Sequence, residues 1–171
     1  MRMKKLGKIL VFIMILFFVP CNFVNANQVP LANIGAYKFV ERINTMGMQL
    51  KTPIKLVNLH QQNMEKYTNN PNSMLKKYDT YVATFNTGSV FFLCNHEGYV
   101  CGISIITPKD KTSEKESTYV TYIVGRILLN NKDKFEELIH THKCWSNNRW
   151  IFWTLDTKRN VYNSLFLAYD S

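Results

Sequence analysis

The sequence predicts one α+β domain: an antiparallel sheet of about five strands, with an N-terminal helix and one or two helices before a C-terminal hairpin. Three observations predict it. Short runs rich in Val, Ile, Tyr and Phe, bounded by turn residues, fit pleated and half-buried strands. Two segments carry apolar residues at helical spacing instead. The strand runs fall into groups separated by helices, which favours helices gathered on one face of an antiparallel sheet.

The first 26 residues read as an export signal rather than as part of that domain. Arg2, Lys4, Lys5 and Lys8 precede an uninterrupted apolar run at 9–19 (ILVFIMILFFV), Pro20 breaks it, and Val24-Asn25-Ala26 offers small or short residues for cleavage after Ala26. That order is the one a secretory signal peptide requires. The run is too short for the roughly 20 apolar residues of a spanning helix, so no membrane span is expected after cleavage. Cys21 follows Phe18-Val19-Pro20. A lipidated cysteine normally follows a small residue, and proline before the cleaved bond fixes φ and lacks an amide donor. The expected mature protein is therefore residues 27–171, a single domain in the periplasm, in the cell envelope or secreted.

Removing the signal changes the charge argument. The whole chain has 21 Lys+Arg against 12 Asp+Glu, and four of the cations leave with residues 1–26, so 17 remain against 12, a net of +5. Those charges are scattered and interleaved with acids, as in Lys109-Asp110-Lys111 and Glu114-Lys115-Glu116. A nucleic-acid binder gathers its cations on one face or helix, so no nucleic-acid partner is expected. The remaining 145 residues suffice for one core, burying roughly 68–70% of the unfolded surface. No internal repeat is visible.

In chain order, Ala36, Phe39, Val40, Ile43 and Met46 form a helical stripe, with Gly47 placed as a C-cap glycine. Residues 54–60 (IKLVNLH) are ambiguous between strand and loop, and 65–72 (EKYTNNPN) read as a surface loop. Strands are expected at 78–85, 89–94 and 99–107, the last ended by Pro108. Ser113 and Glu116 have capping-box spacing. After them, Tyr119, Val120, Ile123, Val124, Ile127 and Leu128 give one broad apolar face. Asn130-Asn131 ends that helix, and Asp133 is placed to cap a short second one reaching about residue 139. Strands at 149–155 (RWIFWTL) and 161–169 close the chain around a turn at 156–160. The order resembles that of small α+β protein-binding domains such as type III secretion chaperones. A likeness of element order carries no function.

Chemistry rests on three cysteines and four histidines. If the hairpin turns on Glu97-Gly98, Cys94 lies opposite Cys101, Phe92 opposite Ile103 and Val90 opposite Ile105. Opposed Cβ atoms about 4.5–5.5 Å apart approach the ~3.5–4.5 Å of a disulfide, and export is compatible with one. A four-residue loop, 95–98, would instead oppose Cys94 to Tyr99 and leave Cys101 diagonal, roughly 7–8 Å away. Two unbridged, buried thiols are the alternative.

His140-x-His142-x-Cys144 would share one face of an extended strand, a weak metal candidate without a fourth ligand nearby. On a helix end the three spread around the axis, and the histidines face a favourable dipole. Cys144 with His60, His96, His140 or His142 could also form a thiol–imidazole pair. No nucleophile elbow, metalloprotease helix or phosphate-binding loop is present, and no cofactor is expected.

Trp145, Trp150, Phe152 and Trp153 form a candidate interaction patch. Alternation puts Trp150 and Phe152 on one side of their strand and Ile151, Trp153 and Leu155 on the other. Aromatic residues are enriched in interaction surfaces. The sequence thus points first to a non-catalytic binding or interaction module that meets another protein through an aromatic sheet face. The alternatives are a small Cys/His-dependent hydrolase or thiol enzyme, and a structural envelope-associated domain.

Overall fold

In a computed structural model, the described residues are 29–63, 78–157 and 160–170. They form an α+β domain with three helices and a seven-stranded antiparallel sheet. In chain order the elements are α1 (Ala36–Gln49), β1 (Val57–Gln62), β2 (Asp79–Thr84), β3 (Ser89–Cys94), β4 (Val100–Pro108), α2 (Lys111–Leu129), α3 (Lys132–Thr141), β5 (Lys143–Ser146), β6 (Arg149–Asp156) and β7 (Val161–Tyr169). The strand order is β1-β2-β3-β4-β7-β6-β5. The signal segment, Cys21 and the polar stretch 65–72 lie outside the described residues. No helix among the described residues is long and apolar enough to cross a membrane.

The strands alternate in the expected way, so one face of the sheet presents Val90, Phe92, Ile103, Ile105, Ile151, Trp153 and Phe166 to the helices, in a core shared with Phe39, Ile43, Val120, Ile123, Val124 and Leu138. The opposite face carries its own apolar cluster of Val82, Phe91, Ile106, Leu165, Leu167 and Tyr169, with Phe152 packed against it. The α+β class and the helices on one face follow from these two periods.

The sheet has more strands than the sequence suggested, and each addition has a local reason. The later part of the ambiguous run at 54–60 became the edge strand β1, whose pairing with β2 shifts between Val57 and His60, where Asn58 takes a positive φ of 57°. Such a bulge blunts an edge against further pairing. Residues 143–146 looked like the end of a helix. His142 instead turns the chain through a left-handed conformation, and Asn147-Asn148, both at positive φ (52° and 59°), close a tight β5–β6 hairpin with Ser146 opposite Arg149. Two consecutive positive φ values are what a type I′ turn needs, and Asn tolerates them.

Three helix ends also differ from expectation. α1 runs past Gly47 to a cap at Leu50. Gly47 is there because the backbone of Ile54 comes close: an added Cβ would lie 2.8 Å from the Ile54 carbonyl oxygen. Asn44 meets the same strand-like segment, accepting from Leu56 N at 2.7 Å and donating to Leu56 O at 3.0 Å.

α2 starts one turn earlier than the Ser113/Glu116 pair implied. Asp110 is its N-cap, accepting from Thr112 N and Ser113 N at 3.0 Å each and from Ser113 Oγ at 2.7 Å. These bonds hold the Asp110 carboxyl below its ordinary pKa. Glu116, released from capping, reaches the β2–β3 turn instead: Oε1 accepts from Asn86 Nδ2 at 3.0 Å, and Oε2 accepts from Thr87 N and Oγ1 at 3.1 and 2.6 Å. In α3 the cap is Asn131, which accepts from Lys134 N at 3.0 Å, and Asp133 sits in the first turn, where a carboxylate complements the helix dipole.

Candidate functional site

The β3–β4 hairpin decides the fate of the paired cysteines. Val90 faces Ile105, Phe92 faces Ile103 and Leu93 faces Gly102, but the register then shifts, and Cys94 faces Val100. Cys101 is the extra residue of a bulge. The loop that forces it has three residues: Asn95 and Tyr99 close it backbone to backbone at 3.0 Å, and Gly98 takes φ 83°. The Asn95 side chain braces it by accepting from Glu97 N and Tyr99 N. A left-handed glycine at the third position is a usual way to close a three-residue hairpin loop, and Cys101, left out of the pairing three residues later, makes up the difference between that loop and the Leu93–Gly102 ladder. The ladder takes the register expected for a turn on Glu97-Gly98 as far as Leu93, with Phe92 opposite Ile103 and Val90 opposite Ile105, but leaves it at Cys94. The expected Cys94–Cys101 opposition is therefore not formed, and Cys94, Cys101 and Cys144 are not disulfide-bonded in this structure.

All three thiols are at most 2% exposed. Desolvation pushes Cys94 and Cys144 up to about 11, and Glu137 adds to the effect at Cys144. Cys101 is also raised by burial, against a lowering contact from the Asn95 backbone. The nucleophilic form of cysteine is the thiolate, so each thiol is held in its unreactive state at neutral pH.

The histidines do not converge on Cys144. His60 is exposed on β1, with Nδ1 2.8 Å from Asn58 O. His96 lies in the exposed hairpin loop, and His140 is exposed on α3. His142 stacks on Trp153, with ring centroids 5.4 Å apart and an 11° interplanar angle. Because the chain leaves a helix at His142 and enters a strand at Lys143, residues 140, 142 and 144 share no common face. No group of three or more metal-ligating side chains occurs among the described residues.

The four candidate aromatics divide three to one. Trp145 and Trp150 are opposed across β5–β6, packed edge to face at 5.4 Å, and Lys143 Nζ lies 5.5 Å from the centre of the Trp150 ring. Phe152 continues the row, edge to face with Tyr169 at 5.6 Å. Trp145 is 38% exposed, and its carbonyl accepts from Lys134 Nζ at 2.6 Å, which shields part of the β5 edge.

Trp153 points the other way, as the alternation required, into the helix-side core. Its Nε1 donates to Ser164 Oγ at 2.7 Å, and Thr121 Oγ1 donates to the same oxygen at 3.0 Å. Sequence reasoning did not find Ser164 or Thr121, since neither belongs to a motif and they are 43 residues apart.

The chain matches no family model, no curated protein and no solved structure.

Proposed function

We propose that the protein is an exported, non-catalytic binding module that engages another protein through Trp145, Trp150 and Lys143. The observation that carries this reading is the Trp145–Trp150 pair: a half-exposed indole locked edge to face on a second one, with an ammonium over the latter's ring. Rigid aromatic anchors with an adjoining cation suit a binding hot spot, because little side-chain entropy is lost on contact. The burial and raised pKa of the thiols weigh against the alternative of a Cys/His enzyme.

The test places a photo-crosslinking phenylalanine analogue at position 145, and at Met48, which is exposed on α1, in cells exporting the protein. A discrete adduct at 145 that is absent at 48, and is lost when Trp150→Ala and Lys143→Ala are combined, is expected. Equal adducts at both positions, or none at 145, would overturn the reading and favour a structural envelope domain. Export is checked on the same material: the intact mass should match a chain starting at Asn27 with no acyl group, and an uncleaved or acylated chain would contradict it.

A further inference from the structure

A cleft of about 280 Å³ lies between α2, α3 and the β6–β7 pair, on the opposite side of the sheet from the Trp145–Trp150 row. Its walls include Thr118, Phe135, Ile139, Trp153, Leu155 and Tyr162. An apolar cavity of ~150 Å³ accepts one benzene ring, so this cleft has room for two fused rings, slightly less than the ~300 Å³ at which drug-sized sites begin. Thr118 and Leu155 are exposed and mark the side open to solvent.

The polar groups in the wall are few and unequal. Trp153 Nε1 and Thr121 Oγ1 already donate to Ser164. Ser117 differs: it lines the cleft and only 4% of the residue is exposed, yet its hydroxyl is not among the buried unpartnered atoms of the described residues, so the oxygen itself stays accessible while no protein group is seen to pair with it. Hydroxyls on the same helix that are less enclosed do find partners, as Thr118 Oγ1 donates to Glu114 O at 2.9 Å. A hydroxyl that is accessible beside the cleft and has no protein partner is free to pair with a ligand's polar group, for which it can donate or accept. The one ionisable acid of the wall is Glu114, and no lysine or arginine lines it, so a negatively charged ligand is disfavoured.

We infer that this cleft binds a neutral, two-ring aromatic molecule whose single N–H or O–H group pairs with the Ser117 hydroxyl. The site is separate from the protein-binding surface proposed above, and each can fail without the other.

Indole, 1-methylindole and indole-3-acetate are suitable probes, titrated into the folded chain and followed by amide chemical shifts. Indole should perturb Ser117, Thr121 and the Trp153 ring N–H, while 1-methylindole, which lacks the donor, should bind at least fivefold more weakly. Indole-3-acetate should also bind more weakly, because its carboxylate meets Glu114. Ser117→Ala should abolish the preference for indole over 1-methylindole while leaving the fold intact. Thr118→Trp, made at an exposed helical position, should block all three probes. The inference is overturned if indole shifts only residues around Trp145 and Trp150, if nothing shifts up to the solubility limit, or if the Ser117→Ala protein keeps the donor preference. Equal affinity for the acetate would overturn the assignment of a neutral ligand.

Discussion

Replacing Glu116 with alanine tests whether a side chain whose spacing suggests a helix cap in fact anchors a distant turn. Glu116 is 8% exposed as a residue, and its carboxylate takes three hydrogen bonds from Asn86 and Thr87, thirty and twenty-nine residues away. A hydrogen bond to a charged group contributes about 1.5–3 kcal/mol net. The three do not add, because Asn86 is exposed and Thr87 half-buried, so water can recover part of the loss. The cost of desolvating the carboxylate offsets part as well. Glu116→Ala is therefore expected to cost about 2–4 kcal/mol, the stranded Thr87 amide being the main item. Glu116→Gln retains the shape and one strong acceptor and should cost about 1 kcal/mol. Urea unfolding of the mature chain reads this as a lower midpoint at unchanged m. The Tm of the alanine variant should fall by about 5–15 °C, at roughly 2–4 °C per kcal/mol for a domain of this size. An alanine variant within 0.5 kcal/mol of the parent, or a glutamine variant as damaged as the alanine one, would refute the tether.

Three further outcomes are expected. Gly125→Ala should destabilise by about 1–2 kcal/mol: alanine gains about 1 kcal/mol of helix propensity, but its Cβ would lie 2.2 and 2.4 Å from two ring carbons of Phe135, and overpacking costs about 1–3 kcal/mol or more; a stabilised variant in urea would contradict the packing. Because the Asp110 carboxyl is lowered from 3.8 in the folded chain, its contribution is complete above that value and is lost as the pH falls through the lower folded one. The stability gap between the parent and Asp110→Asn should thus narrow between pH 5 and pH 2.5, and a constant gap would be inconsistent with the cap. Alkylation of the folded protein should spare Cys94, Cys101 and Cys144, and alkylation in denaturant without reductant should label all three. Only one labelled would place a Cys94–Cys101 bridge in the exported protein and require the Cys101 bulge to flatten.

What could be seen beforehand was what depends on near neighbours in the chain. The apolar face of α2 and the alternation that separates Trp150 from Trp153 are periodic signals, and both appear in the structure as expected. The β5–β6 turn was also local. Asn147-Asn148 is a local turn pair that sequence reasoning passed over, because the preceding histidines and helical residues made the stretch resemble a helix end. Gly47 misled for a different reason. A glycine near a helix end resembles a cap, and only the position of Ile54 shows that close approach is its role.

The candidate sites divide along the same line. Cysteine spacing left two registers open; the ladder adopts the first as far as Leu93, and the three-residue loop with its left-handed Gly98 and Asn95 brace breaks it at Cys94, a choice of loop geometry that hydrophobic alternation cannot express. The Ser164 hydroxyl that joins Trp153 to Thr121, and the cleft beside Ser117, come from four elements far apart in the chain.

By itself, then, the sequence determined the α+β class and which residues of each strand share a face, because side-chain periodicity is local and the hydrophobic effect acts on it without knowledge of the partner. The tertiary structure alone decided that Glu116 holds a turn rather than a helix end, that Cys94 meets Val100, and that a two-ring cleft opens beside an unmatched hydroxyl. Those outcomes depend on which groups are brought within about 3 Å after long loops close, and hydrogen-bond geometry at that distance leaves no periodic trace in the chain.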